Sequence, residues 1–274
     1  MRAPEPNEPA RTAHLGYAAT ADCRNTRLTH SNGLAPKRRA PSTAQPSKHS
    51  SPSFASEWVV WQIADSAFPT GGFAHSGGLE AAWQQGEIGS LHDLSEFIRA
   101  QLSQAGRASL PFVNEAFRGE RPFSELDHLC DAFLCNHVAN RASRAQGQAF
   151  LLATESAFAS GRVRALRAGI RCRQLPAHFA PVFGAVARVL KLGHQQCVRL
   201  FLFLVLRTLI SSGVRLGAVG PLAAQALQAD LAAEAERISS ACAGLRVADV
   251  AQTSPLLDLW HAAHDRLYSR LFQT

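Results

Sequence analysis

The sequence predicts an all-α protein, with one compact multi-helix domain of about nine or ten helices behind a disordered N-terminal arm. After Phe54, apolar segments repeatedly follow residues that begin helices, such as a capping Ser or a Pro in the first turn. No alternating run of apolar and polar residues bounded by turn residues indicates a strand. Hydrophobic residues make up 46% of the 274 residues, which is enough for a packed core.

Residues 1–53 differ from the rest of the chain in composition. They are rich in Pro, Ser, Arg, Asn and Thr and poor in large apolar side chains, so they bury too little surface to offset chain entropy. We predict a disordered arm at 1–53 and a folded domain at 54–274. An organellar transit peptide is the alternative, and the acidic residues Glu5 and Glu8 argue against it.

The distribution of charge and the cysteines limit the possible classes of function. Eight basic and three acidic residues lie in the arm, which therefore carries most of the net charge of +7 and leaves no strongly basic body for a nucleic acid. Six cysteines without a framework spacing indicate free thiols in a reducing compartment. The apolar run 200–206 is much shorter than the roughly 20 residues of a membrane span. We therefore expect a cytoplasmic protein with no membrane or nucleic-acid partner.

Caps and turn residues set the predicted helix boundaries. Ser90 with Asp93 and Ser124 with Asp127 resemble capping boxes, and Pro221 and Pro255 fit a first helical turn. The basic stretch 162–175 shows no clear period. The predicted helices are 56–67, 91–105, 111–117, 125–138, 141–158, 176–192, 195–212, 221–243 and 255–272.

The stretch 65–80 is the most distinctive part of the chain. Two double glycines, 71–72 and 77–78, flank Phe73, His75 and Ser76, which indicates a shaped loop, since glycine is used where φ is positive or another backbone comes close. The spacing lacks the Gly-Lys-Ser/Thr of a phosphate loop, the G-x-G-x-x-G of a dinucleotide loop and the G-x-S-x-G of a nucleophile elbow. A tight connector with His75 bonded to backbone and a surface recognition loop both remain open on the residues alone.

Five segments, in order, resemble the urease accessory protein UreF. They are the loop 65–80, the SRAQG segment 143–147, the HFAPVFG segment 178–184, the VRLG…GPLAAQ segment 214–225 and the YSRLF segment 268–272. The resemblance covers roughly 54–274. Two features depart from the family pattern: the arm is longer than the usual start, and Gln273-Thr274 stands where the family tail usually ends Arg-Ser.

The resemblance implies a non-enzymatic helical accessory protein with no cofactor. The family assembles with a second accessory protein, UreD or UreH, and a GTPase, UreG, on urease apoprotein, and the complex delivers nickel as the GTPase turns over. UreF proteins typically dimerise. Carried onto this sequence, the resemblance assigns partner-binding roles to the following loop and tail residues: Gly72, Phe73, His75, Ser76, Glu80, Tyr268, Arg270, Leu271 and Phe272.

Two histidine groups suggest metal chemistry as an alternative. His128, Cys130, Cys135 and His137 have suitable donor atoms, but on one continuous helix they divide into two pairs on opposite faces. His261 and His264 share a face, and with Asp265 they define a hypothetical weak nickel site. A core or rim role is the more ordinary interpretation of both groups, so no metal site is predicted.

Other interpretations remain open beside the family resemblance. A helical metal-dependent hydrolase would need carboxylates near these histidines, and a helical adaptor unrelated to urease would share the fold. The arginines in 162–173 fit either an acidic partner or a solvated surface. Tyr268, Leu271 and Phe272 fit either docking on a partner or folding back onto their own core.

Overall fold

The computed structural model describes residues 54–274, and it is all-helical with no strand among them, as predicted. The predicted disordered arm at 1–53 lies outside the described residues. The α-helices are α1 (Phe54–Ala64), α2 (Leu79–Gln84), α3 (Leu91–Gln104), α4 (Leu110–Arg118), α5 (Phe123–Phe133), α6 (His137–Phe158), α7 (Gly161–Cys172), α8 (Phe179–Val189), α9 (His194–Arg215), α10 (Pro221–Cys242) and α11 (Pro255–His264).

Helix α9 forms the centre of the core. It packs against α1, α3, α4, α8 and α10, and buried leucines and Phe201 line it on several sides. Phe201 joins a cluster of rings with Phe150, Phe179 and Phe183, whose neighbouring centroids lie 5.3–5.7 Å apart. Among the described residues, α9 is the one helix long and apolar enough to cross a membrane, and most of it is buried inside the fold. That burial is typical of a core helix.

Two glycines in the family-like segments allow helices to approach closely. A Cβ atom at Gly147 of α6 would lie 2.0 Å from the carbonyl oxygen of Ala177, and one at Gly184 of α8 would lie 2.2 Å from that of Val113. Neither backbone contact leaves room for a side chain. The SRAQG and HFAPVFG segments therefore contain glycine because α6 touches the backbone that leads into α8, and α8 touches α4.

The predicted start of α3 is confirmed in detail. The Oγ atom of Ser90 accepts a hydrogen bond from the amide of Asp93, and the Asp93 carboxylate accepts one from the Ser90 hydroxyl. Five residues of π-helix, Ala105–Ser109, then join α3 to α4 without a turn. The boundary expected near residue 105 is therefore a change of helical pitch.

The predicted helix 125–138 is wrong. Helix α5 begins after Pro122 and ends at Phe133, and Asn136 then caps α6 by accepting hydrogen bonds from the amides of Val138 and Ala139. Asp127 is not part of a cap. Its buried carboxylate instead accepts hydrogen bonds from the amides of Ala177 and His178 at 2.7 and 2.8 Å, which ties α5 to the start of α8.

The basic stretch for which no helix was predicted forms α7. Ser160 caps it, and Val163 and Ile170, seven residues apart, are its buried side chains. Such a narrow apolar stripe is hard to recognise among five arginines. A second correction concerns the end of the chain: α11 ends at His264, and residues 265–274 leave the helix and return to the glycine loop.

Candidate partner-binding site

The glycine loop is a shaped turn between α1 and α2. Gly71 has a φ angle of 80° and precedes one turn of 3-10 helix at Gly72–Ala74, while Gly77 and Gly78 have φ angles of 64° and 84°. Positive φ angles strain any residue with a side chain, so these positions require glycine. Gly78 also lies against α11, where an added Cβ would come within 3.0 Å of the His261 ring.

The last residues of the chain pair with this loop through their backbone. The amide of Gln273 donates to the carbonyl of Ala74 at 2.8 Å, and the amide of Ser76 donates to the carbonyl of Thr274 at 2.7 Å. The Thr274 hydroxyl also contacts Nδ1 of His75. We call this assembly of the loop 71–78 with the tail 268–274 the loop–tail surface.

Glu80 anchors the tail from inside. Its side chain is buried, and its carboxylate accepts hydrogen bonds from the amides of Leu271 and Phe272 at 2.5 and 3.2 Å. Nε2 of the buried His264 lies 3.1 Å from the same carboxylate. One carboxylate at the start of α2 thus connects α11 with the tail that follows it.

Arg215, at the end of α9, completes the assembly. Its guanidinium lies 3.9 Å from the ring centroid of Phe73 and 4.1 Å from that of Phe272, and it donates to the carbonyl of Phe73. Cation–π contacts to both rings hold loop and tail together. Arg215 was not among the predicted site residues, although it lies in the VRLG segment that carried part of the resemblance.

The nine predicted site residues lie in this one region, but they divide by exposure. Phe73 is 70% exposed, Leu271 is 52% exposed and Tyr268 is fully exposed, whereas Ser76, Glu80 and Phe272 are buried. Phe272 therefore folds back onto its own domain, while Tyr268 and Leu271 face outward. Arg270 is also exposed and lies 3.6 Å from the carboxylate of Asp265.

Two histidines in this region, His75 and His261, are held neutral. Burial, with Arg141 and His264 nearby, lowers the pKa of His75 to about 4. Burial also lowers the pKa of His261 to about 4, although a hydrogen bond to the backbone of Gly77 opposes the shift. At neutral pH both rings are uncharged, and each has one N–H donor and one lone-pair acceptor.

The structure does not assemble either suggested metal group. Among the described residues, no cluster of three or more His, Cys, Asp or Glu side chains has the geometry to hold an ion. His264 is buried against Glu80, while Asp265 turns toward Arg141 and His137. Helix α5 ends at Phe133 and α6 begins at His137, so His128 and Cys130 lie on a different helix from His137.

The arginines of α7 have partly local partners. Arg164 and Arg167 both pair with the carboxylate of Glu155 on α6, at 3.3 and 2.7 Å. Those two contacts hold α7 against α6. They make Arg164 and Arg167 part of the fold.

Comparison with known proteins identifies the family of this chain. The family model for UreF matches residues 88–232. The chain belongs to the UreF family. Urease accessory protein F of rice (Oryza sativa subsp. indica) is 37% identical over 221 residues, covering 79% of this chain and 85% of the rice protein. The Arabidopsis thaliana protein of the same name is 36% identical over 220 residues, covering 79% and 92% of the two chains.

Bacterial members are also similar. Urease accessory protein UreF of Arthrobacter sp. is 31% identical over 227 residues, covering 79% of this chain and 96% of the bacterial one. These relatives are named as accessory proteins, so the general role of the UreF family is in urease maturation. The loop 71–78 and the tail 268–274 lie outside the residues that the family model matches. The two segments are far apart in the sequence and meet through tertiary contacts.

Proposed function

We propose that this protein is a non-catalytic scaffold for nickel insertion into urease. It would couple a UreG-like GTPase and a UreD/UreH-like accessory protein to urease apoprotein in the cytoplasm, and it would act as a homodimer. Membership of the UreF family supports the general role. The loop–tail surface is the observation that supports partner docking as its mode of action.

The composition of this surface suits a protein partner. Three large apolar side chains, Phe73, Tyr268 and Leu271, are exposed together with the charged Arg270. Aromatic residues and arginine are the types enriched at the centres of protein interfaces. The backbone bonds, the Glu80 carboxylate and Arg215 fix the residues beneath them, so little ordering would be needed on binding.

The altered last two residues are compatible with this role. Gln273 and Thr274 contact the loop through a backbone amide and a backbone carbonyl, which other residues would supply equally well, and the Thr274 hydroxyl adds a contact to His75. We therefore expect the Gln273-Thr274 ending to keep the tail in place.

Coupling to a GTPase requires a difference in affinity between its nucleotide states. A scaffold that bound the GDP and GTP forms equally would shift nothing, however tightly it bound. We expect the two loaded forms of a UreG-like GTPase to differ at least about tenfold in affinity for the complex, equivalent to about 1.4 kcal/mol. Titration calorimetry with each form measures that ratio, and equal affinities would rule out the coupling.

Complementation tests the function as a whole. The plant relatives are 36–37% identical, so the suitable host is an Arabidopsis line lacking its urease accessory protein F. The full chain should restore urease activity and enzyme-bound nickel. A Tyr268→Ala/Leu271→Ala double variant should lose most of this activity, because it removes exposed apolar groups from the loop–tail surface. A matched control, Leu222→Ala, removes an 88%-exposed leucine on α10 and should act like the unmodified chain.

The outcomes separate the role from the surface. No restoration by the unmodified chain, with the protein present and folded, would contradict the proposed function. Restoration by both the unmodified chain and the double variant would support the proposed function and contradict the role of the loop–tail surface in it. Light scattering on the purified chain tests the proposed homodimer, and a monomer at all concentrations would contradict it.

A further inference from the structure

A cavity of about 240 Å³, partly open to the surface, lies beside the loop–tail surface. It is bordered by α3, the π-helical stretch, α4, α5, α6, α8, α9 and α11. The rings of Phe112, Phe133, Phe179 and Phe201 line it, together with small residues that leave the space open, such as Ala108 and Ala142. The lining is mostly apolar.

One wall of the cavity is the stretch of π-helix at Ala105–Ser109. Ala105, Ala108 and Ser109 line the space, while Gly106 packs toward α10, where an added Cβ would lie 2.5 Å from Ile238. π-Helical turns are rare in proteins and recur at functional sites. The irregular wall is thus a second feature, independent of the volume, that points to a binding site.

The polar end of the cavity contains an unpaired acceptor. His261 lines the space, and its Nδ1 atom is buried without a hydrogen-bond partner among the described residues. The ring bonds to the backbone of Gly77, which leaves Nε2 as the nitrogen that carries the hydrogen and donates to that carbonyl. Because the ring is neutral, Nδ1 presents a lone pair, and a buried lone pair is costly unless a donor reaches it.

The charges around the cavity disfavour an anionic occupant. Within the described part of the chain, no lysine or arginine lines it, so nothing there would neutralise an anion. The carboxylate of Asp258 already accepts a hydrogen bond from Gln252 at 2.5 Å. At the same end Gln104 is occupied by Gln252, Thr253 and Ser254. The polar atom that still needs a partner therefore lies at the His261 end.

We propose that this cavity binds a small uncharged molecule with an apolar ring or short chain and one O–H or N–H group, which donates to Nδ1 of His261. An engineered apolar cavity of about 150 Å³ is known to hold benzene, so this space is sufficient for a substituted ring. His75 and Thr274 also line the cavity. A bound molecule would therefore contact residues of the loop–tail surface.

A matched pair of probes tests the donor requirement. We choose 4-methylphenol, which carries the hydroxyl, and its methyl ether, 4-methylanisole, which lacks the hydrogen. Titration calorimetry on the full chain should show 4-methylphenol binding to one site at millimolar concentration or below. The methyl ether should bind at least about tenfold more weakly, because Nδ1 would stay unpaired.

Variants locate the site. Ala142→Leu fills part of the cavity and should abolish binding of 4-methylphenol, and His261→Phe should remove the preference for the hydroxyl while keeping an aromatic ring in place. Leu222→Ala, on the exposed face of α10, should leave both affinities unchanged. Circular dichroism and thermal unfolding check that each variant is folded.

Three results would overturn the proposal. Failure of both probes to bind the unmodified chain would contradict a binding site for a substituted ring. Equal affinity for the two probes would remove the role of His261. Unchanged binding to a folded Ala142→Leu variant would place the probe elsewhere. Because the probe pair acts on the unmodified chain, the test does not depend on any variant folding.

Discussion

Asp127 and Glu80 are buried carboxylates that each accept hydrogen bonds from two consecutive backbone amides, Ala177 and His178 in one case and Leu271 and Phe272 in the other. A histidine completes each group: His178 lies 2.9 Å from the nearby Asp131, and His264 lies 3.1 Å from Glu80 itself. The contact between a carboxylate and two backbone amides is the same in the two regions. Their surroundings differ.

The Asp127 group joins the middle of the chain. It fixes the start of α8 against α5 and α6, where His178 also contacts the hydroxyl of Ser143 at 3.1 Å and Gly147 brings α6 onto Ala177. The carboxylate lies between helices, so its role is to hold the fold. The Glu80 group instead holds the tail 268–274, in which Tyr268 and Leu271 are exposed.

The same contact, a buried carboxylate that accepts hydrogen bonds from backbone amides, therefore has two structural roles. A buried carboxylate that satisfies backbone amides stabilises an interior joint when both segments continue into helices. When one segment is a non-helical stretch on the surface, such as 268–274, the same contact presents side chains in a fixed arrangement. Changes at the two carboxylates should therefore differ in kind: global at Asp127 and local at Glu80.

The largest effect is expected for Asp127→Ala. The change leaves two amides without acceptors inside the core, and we expect the free energy of unfolding to fall by about 3 kcal/mol. Urea unfolding followed by circular dichroism measures it. Asp230→Ala, at an exposed position on α10, is the control and should change stability by less than about 0.5 kcal/mol. A loss of stability for Asp127→Ala no larger than for Asp230→Ala would contradict the role of Asp127 in holding α5 to the start of α8.

Lowering the pH should weaken the loop–tail region. The pKa values of His75 and His261 are about 4 in the folded protein, below the value of about 6.5 for an unperturbed histidine. Between pH 6.5 and 4 the unfolded chain therefore binds more protons than the folded one, so stability is complete above pH 6.5 and declines as the pH falls toward 4.

Melting temperatures measured between pH 7 and pH 4 test this pH dependence. A His75→Asn/His261→Gln double variant removes both groups, so its melting temperature should fall less steeply over this range than that of the unmodified chain. Identical slopes would show that other groups cause the pH dependence. Leu222→Ala, at an exposed and non-titrating position on α10, is the control and should keep the slope of the unmodified chain.

The smallest effect on global stability is expected for Glu80→Gln. The amide side chain keeps the shape but loses the charge that strengthens its bonds to Leu271 and Phe272, and we expect global stability to fall by about 1 kcal/mol. Locally the change should be clear. Hydrogen exchange at the amides of Leu271 and Phe272 should accelerate about tenfold, while exchange in α9 changes little. Uniform acceleration across the domain would mean that Glu80 holds the core and not the tail.

The sequence by itself determined the helical class, most helix positions and the family. Local signals were sufficient because they act within a few residues: Ser90 caps α3 through Asp93, and Pro221 starts α10 at its first residue. The glycines of the loop were recognisable for the same reason, since positive φ angles are a local demand. The five ordered motifs indicated the relationship to UreF, because each is a run of neighbouring residues that can be recognised without knowing how the chain folds.

Only the tertiary structure decided what Asp127 and the tail do. Ser124 and Asp127 have the spacing of a capping box, but the carboxylate binds amides about 50 positions away, and no local pattern encodes that choice. The last helix ends at His264, and Glu80, the Ala74 carbonyl and Arg215 hold residues 271–273 against the loop. His75 and Thr274, 199 positions apart, meet only when α2, α9 and α11 have packed. Contacts of this range depend on the whole fold, and for that reason the sequence predicted a set of partner-binding residues without showing which of them are exposed.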